Sequence, residues 1–178
     1  MRTAGEFTVG EFKVRSNLIV TDPCYQFDDK QIINNVKHGN WVANVKIADE
    51  GSWGKRVAEL SVCLAGEFIS DYDWELNPKI EVSVDSGQAG FFDSFHYPLG
   101  ESTGEYGDTD TFYGKVCEMT CSGDGAGVLD FGAVSSSGYG DGGYNLYTVK
   151  KNGEVIGAKI VFISEEDEDD YYDYGEEE

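Results

Sequence analysis

The chain has 178 residues, 34 of them acidic and 13 basic, for a formal charge of −21; 40% are hydrophobic and 13% aromatic. That length supports one domain with a real core and argues against two. The charge repels nucleic acid, anionic membranes and acidic substrates, so a macromolecular partner is expected to be basic.

Along the chain the dominant period is two, the signature of strands with one wet face. "FKVRSNLIVTD" is the first strand candidate. "DDKQIINNVKHG" breaks the period: an aspartate cap, Ile32, Ile33 and Val36, then Gly39 as a stop predict one short helix. "WVANVKIA" places Trp41, Ala43, Val45 and Ile47 on one face, and "RVAELSVCL" does the same with Ala58, Leu60, Val62 and Leu64. "KIEVSVD" groups Ile80, Val82 and Val84, and "FFD" follows as another candidate. Residues 100–127 are polar and glycine-rich and are expected to form a long loop, with "FYGKVCEM" a strand candidate inside it. "DFGAVSS", "NLYTVK" and "VIGAKIVFI" complete the strands. The last two are joined by "KKNGEV", whose Asn152-Gly153 fits a type I′ hairpin turn. The expected fold is mainly β, an antiparallel sandwich or partly closed barrel with one short helix, over residues 1–164. Residues 165–178, "EEDEDDYYDYGEEE", form an acidic tail with ten acids and no base, which leaves −11 on the body.

The N-terminal "MRTAGEFTVG" has no apolar stretch of signal-peptide length, and no run is long enough to cross a bilayer as a helix. The expected setting is the cytoplasm of a bacterial host cell, with Cys24, Cys63, Cys117 and Cys121 as free thiols. Cys117 and Cys121 are four apart and away from both histidines, which is not zinc spacing.

Four acids sit where strands end, Asp22 and Asp141 of them directly beside proline or glycine: Asp22, Asp85, Asp93 and Asp141. If those ends converge, they gather carboxylates into one cleft able to take a hard cation or to raise one pKa for acid–base work, with Tyr25, Tyr139 and Tyr144 as a wall. Aspartate and glycine are also ordinary turn residues, so the same pattern has a purely structural explanation. "SSSGYGDGGY" matches the spacing of a dinucleotide loop at Gly138, Gly140 and Gly143, but a strand follows where a helix is required. His38 falls at the end of the expected helix. His96 follows Asp93 and Ser94 closely enough to raise a triad, although closeness in sequence is not geometry. Cys24 has no neighbouring base to activate it and is expected to be a small core residue.

The ordered set "TDPCY", "RVAEL", "VDSGQAGFFD", "SSSGYGDGGY" and "NGEVIGAKIVF" resembles an uncharacterised domain-of-unknown-function family of bacteria and their phages, over roughly residues 17–163. The resemblance implies a fold and a phage or bacterial setting and carries over no catalytic residues. In that setting, carboxylates along an acidic chain imitate nucleic-acid phosphates and attract a basic groove. The expected function is a non-enzymatic inhibitor that evades host defence by binding a basic nucleic-acid-handling protein, its preferred form an anti-CRISPR protein on a Cas9-type effector. Glu165, Glu166, Asp167, Glu168, Asp169, Asp170, Tyr171, Tyr172 and Tyr174 are the expected partner-binding residues, the tyrosines supplying anchors that a purely solvating tail lacks. The alternative is a metal, nucleotide or small-molecule site, or a hydrolytic one, built from Asp22, Tyr25, Asp85, Asp93, Asp141 and Tyr144. No cofactor, direct nucleic-acid contact or membrane is expected.

Overall fold

The computed structural model describes residues 3–100 and 103–165. Alternating side chains become strands because every second one can be buried while the backbone finds partners on both edges. The elements are β1 (Gly5–Val14), β2 (Leu18–Thr21), β3 (Ile32–Ile33), β4 (Gly39–Asp49), β5 (Lys55–Leu64), β6 (Glu75–Val84) and β7 (Gln88–Asp93). They continue with α1 (Phe112–Cys121), β8 (Ala126–Leu129), β9 (Gly132–Ser136), β10 (Gly142–Lys151) and β11 (Glu154–Val161). A six-stranded sheet runs β1-β4-β5-β11-β10-β6 and a five-stranded sheet β3-β2-β7-β9-β8, all ladder pairs antiparallel. The two stay open and face each other, so the protein is a sandwich.

The main core lies between the sheets: Trp41, Leu60, Val62, Val82, Phe91, Leu146 and Ile160 are sealed from solvent. Trp41 also donates its indole N–H to the Lys37 carbonyl at 2.9 Å. A second cluster joins Ile19, Phe92 and Val134, on the far face of the smaller sheet, to Val116 of α1 and Tyr97. The smaller sheet is therefore covered on both sides, and β2 and β7 are buried at every residue. That is why "LIV" and "GFF" are continuous apolar runs rather than alternating ones. In the hairpin between β10 and β11, Asn152 and Gly153 have φ of 53° and 80°, the two positive angles the type I′ turn requires.

Two local expectations are corrected. The helix over "DDKQIINNVKHG" does not form. Asp28 does cap a turn by accepting from the Lys30 N–H at 2.9 Å, but that turn is a single 3₁₀ segment, Asp29–Gln31. Ile32 and Ile33 then pair with Ile19 and Leu18, and Asn35 takes a φ of 55°, so burial of β-branched residues against β2 outweighs the cap. The α-helix is instead "FYGKVCEMTC", expected as strand and loop. Thr111 caps it by accepting from the Gly114 N–H at 3.1 Å, and Phe112, Val116 and Met119 fall at i, i+4 and i+7 toward the second cluster. No described helix is long and apolar enough to cross a membrane.

Candidate functional site

Asp22 lies just past β2 and is fully buried. Its Oδ1 accepts from the Cys24 N–H at 2.8 Å and the Ser86 hydroxyl at 2.6 Å, and its Oδ2 from the backbone N–H groups of Asp85 and Ser86 at 2.8 and 2.7 Å. "TDPCY" and "VDSGQ" are thus one structure, in which a carboxylate staples the end of β2 to the β6–β7 turn. The Tyr25 hydroxyl donates to Asp85, and that bond pushes the phenol pKa up. Beyond Ser86, Gln88 donates to the Ser86 hydroxyl at 3.3 Å and to Cys117 Sγ at 3.4 Å, while Thr120 donates to Gln88 at 2.7 Å, anchoring α1. Burial, aided by Asp22, pushes the Cys24 thiol up to about 12, so it stays protonated. Four donors fill the two oxygens of Asp22, which makes it a fastening. Among the described residues no group of three His, Cys, Asp or Glu side chains is placed to hold a metal ion.

"SSSGYGDGGY" is not a hairpin turn. It carries the chain from β9 in one sheet to β10 in the other and is tied down along its length. The Ser137 N–H reaches the Gly87 carbonyl at 3.0 Å, and the Tyr144 hydroxyl donates to the Gly140 and Ser137 carbonyls at 2.6 and 3.2 Å. Gly138, at φ 63°, presents its carbonyl to the Arg56 guanidinium at 3.2 Å. Arg56 also lies 4.8 Å from the Tyr139 ring centre, and the Tyr139 hydroxyl donates to Glu50 at 2.7 Å. Asp141 is left exposed at the rim.

Asp93, at the end of β7, is a second buried carboxylate. Its Oδ1 accepts from the Ser16 hydroxyl at 2.6 Å and from the N–H groups of Ser16 and Arg15 at 2.9 and 3.2 Å; its Oδ2 meets His96 Nδ1 at 2.5 Å. Burial alone would raise its pKa, but the bonds from Ser16, His96 and Arg15 together hold it below the ordinary carboxylate value. The triad does not assemble as Asp93, Ser94 and His96. The Ser94 hydroxyl meets Ser16 Oγ at 3.0 Å, and the serine on Asp93 is Ser16, from a different loop. Serine and imidazole grip opposite oxygens of one carboxylate, which is a fixed Asp–His pair without an activated nucleophile.

The four aspartates do not share a cleft. Val84 pairs with Gly142, and Asp22 bonds the backbone of Asp85, so Asp22, Asp85 and Asp141 gather at one end of the sandwich with Tyr25 and Tyr144. Leu18 pairs with Asp93 and Thr21 with Gly90, which sends Asp93 to the opposite end. Two carboxylates are buried in structural roles and two stay exposed. Of the expected partner-binding set, Glu165 is described, 3.1 Å from Lys46 Nζ with its side chain 87% exposed; Glu166, Asp167, Glu168, Asp169, Asp170, Tyr171, Tyr172 and Tyr174 lie outside the described residues.

Two groupings emerge from the register. The end that carries Asp22 also carries Asp49, at the close of β4, then Glu50, Asp85, Asp141 and Glu165, with Lys46, Lys55 and Arg56 as the bases nearby. Trp53 and Tyr139 stand there 64% and 53% exposed. At the other end, Lys13, Arg15, Asn40, His96, Asp130 and Phe131 line a cleft of about 700 Å³, and a shallower one over His38 shares Lys13, Arg15 and Asn40. The sequence reading missed this second grouping. Its signal was present in "FKVR", where two bases spaced two apart share a strand face. No family model, curated protein or solved structure matches the chain. Function therefore rests on this geometry.

Proposed function

We propose that the protein is a non-enzymatic, acidic binding protein whose Asp49–Asp85–Asp141 end docks on a basic, nucleic-acid-handling protein, with inhibition of a Cas9-type effector of host defence as the specific form. The observation that carries the reading is uncompensated charge. With 34 acids and 13 bases, 21 carboxylates stay without a basic partner even if every base takes one. At the docking end the exposed acids lie beside Trp53 and Tyr139, the aromatic types that anchor interfaces. Glu165, the first of the ten acids of residues 165–178, lies at the same end.

Mutual attraction of this kind raises the association rate and weakens with salt, because charges farther apart than about 8 Å are screened at physiological ionic strength. The test is binding of the intact chain to a Cas9-type effector, and to other basic nucleic-acid-binding proteins, at low and high salt. Saturable, salt-sensitive binding is expected, weakened at least about tenfold by Asp85→Lys with Asp141→Lys. Absence of binding to every such protein at low salt removes the reading.

A further inference from the structure

We propose that the cleft at the opposite end is a binding site for a small hydroxylated organic anion of the sugar-phosphate or sugar-acid class. Bases are scarce in this chain, and some are spent on carboxylates, as the pairs Lys37–Glu154, Lys46–Glu165 and Lys151–Glu67 show. Lys13 and Arg15 are among the described bases with no carboxylate in ion-pair reach, and these two share one concavity. Val14 pairs with Gly39 and Lys13 with Asn40 at the end of this ladder, and Arg15 and His38, just beyond it, line one shallow cleft. Both histidines of the chain thus border the same pair of bases.

His96 is set in advance for a ligand. Its Nδ1 is taken by the buried Asp93 carboxylate, which Ser16 and the Arg15 backbone hold from the other side, leaving Nε2 as the nitrogen available to the cleft. Its ring stacks on Phe131 at a centroid distance of 5.9 Å and an interplanar angle of 29°. A rigid imidazole beside two cations accepts a ligand hydroxyl at Nε2 without first having to be ordered, while Lys13 and Arg15 hold the anionic head. Glu11 and Asp130 also line the cleft. As acceptors they repel a bare polyanion and favour one that brings hydroxyl donors, while Phe131 offers an apolar face to a sugar ring.

The experiment is an NMR titration read at the imidazole carbons, where two histidines give two assignable sets of signals. The probes are glucose 6-phosphate, gluconate, inorganic phosphate and sodium chloride at matched ionic strength. Saturable shifts at His96, with smaller ones at His38, are expected for at least one of the two organic anions, and which one responds tells phosphate from carboxylate. Lys13→Ala with Arg15→Ala should weaken that binding at least about tenfold, since each lost charged contact is worth roughly that factor. Lys55→Ala, at the other end, should leave it unchanged, and the backbone spectrum of each variant reports its folding. Shifts that sodium chloride reproduces, no saturable shift with either organic anion, or an affinity unaltered in the double variant each overturn the proposal.

Discussion

The two ends of this sandwich use a buried aspartate in the same way and present opposite surfaces. At one end Asp22 collects four donors and fastens β2 to the β6–β7 turn, and around it stand exposed acids and aromatic rings. At the other end Asp93 also fills both oxygens, but one partner is the imidazole of His96, which borders a cleft with Lys13 and Arg15. A buried carboxylate must be satisfied wherever it lies. What differs is whether its donors are all internal, as at Asp22, or include a side chain that reaches the surface, as at Asp93. The first arrangement is a fastening alone; the second also positions a functional group.

The largest expected effect breaks the comparison at Asp22. Asp22→Ala orphans buried donors on three residues and should cost at least about 3 kcal/mol, or roughly 6–12 °C in Tm for a domain of this size. A thermal melt showing less than about 1 kcal/mol of loss would mean the staple is dispensable. Next is Asp93→Asn, expected to cost about 2 kcal/mol near neutral pH through weakened charged hydrogen bonds. The folded pKa of Asp93 is lowered, so the stability it contributes is complete above its unfolded value of about 3.9 and is lost as pH falls through the folded value beneath it. Denaturation curves of the two proteins should therefore converge in strong acid, and a constant gap down to the lowest pH refutes that role.

A smaller effect separates the two surfaces. Reversing Asp85 and Asp141 to lysine should weaken binding to a basic partner at least about tenfold, whereas Lys13→Ala with Arg15→Ala should leave it unchanged or slightly stronger. Equal losses in both variants, measured by salt-dependent titration, would show that net charge alone matters and that the ends are not distinct. The smallest effect is Asp141→Asn, which should stay within about 0.5 kcal/mol of the parent stability because its side chain is exposed. A large loss there would place Asp141 among the fastenings.

Strands covered on one face were legible in the sequence because burial leaves a period-two trace. Trp41, Ala43, Val45 and Ile47 are all buried, as are Ala58, Leu60 and Val62 on β5 and Ile80, Val82 and Val84 on β6. The Asn152-Gly153 turn was legible because its backbone angles are a local property. The helix was misplaced because the expected helix and the segment expected as a strand both carry caps and apolar residues, and only pairing with β2 decides that Ile32 and Ile33 extend. β8 was missed where the expected loop ends, since "AGVL" is too short to show a period and gains its stability from β9.

The four aspartate-bearing turns were identifiable one by one, but their grouping was not. Sequence alone determined which residues end strands, how much charge stays uncompensated and which faces are apolar, because these follow from local backbone preference and from counting. Tertiary structure decided that Asp93 parts from Asp22, that Ser16 rather than Ser94 meets Asp93, and that Lys13 and Arg15 border both histidines. Those relations depend on strand order and register, and contacts between residues nearly eighty positions apart leave no mark on either one's neighbours in the chain.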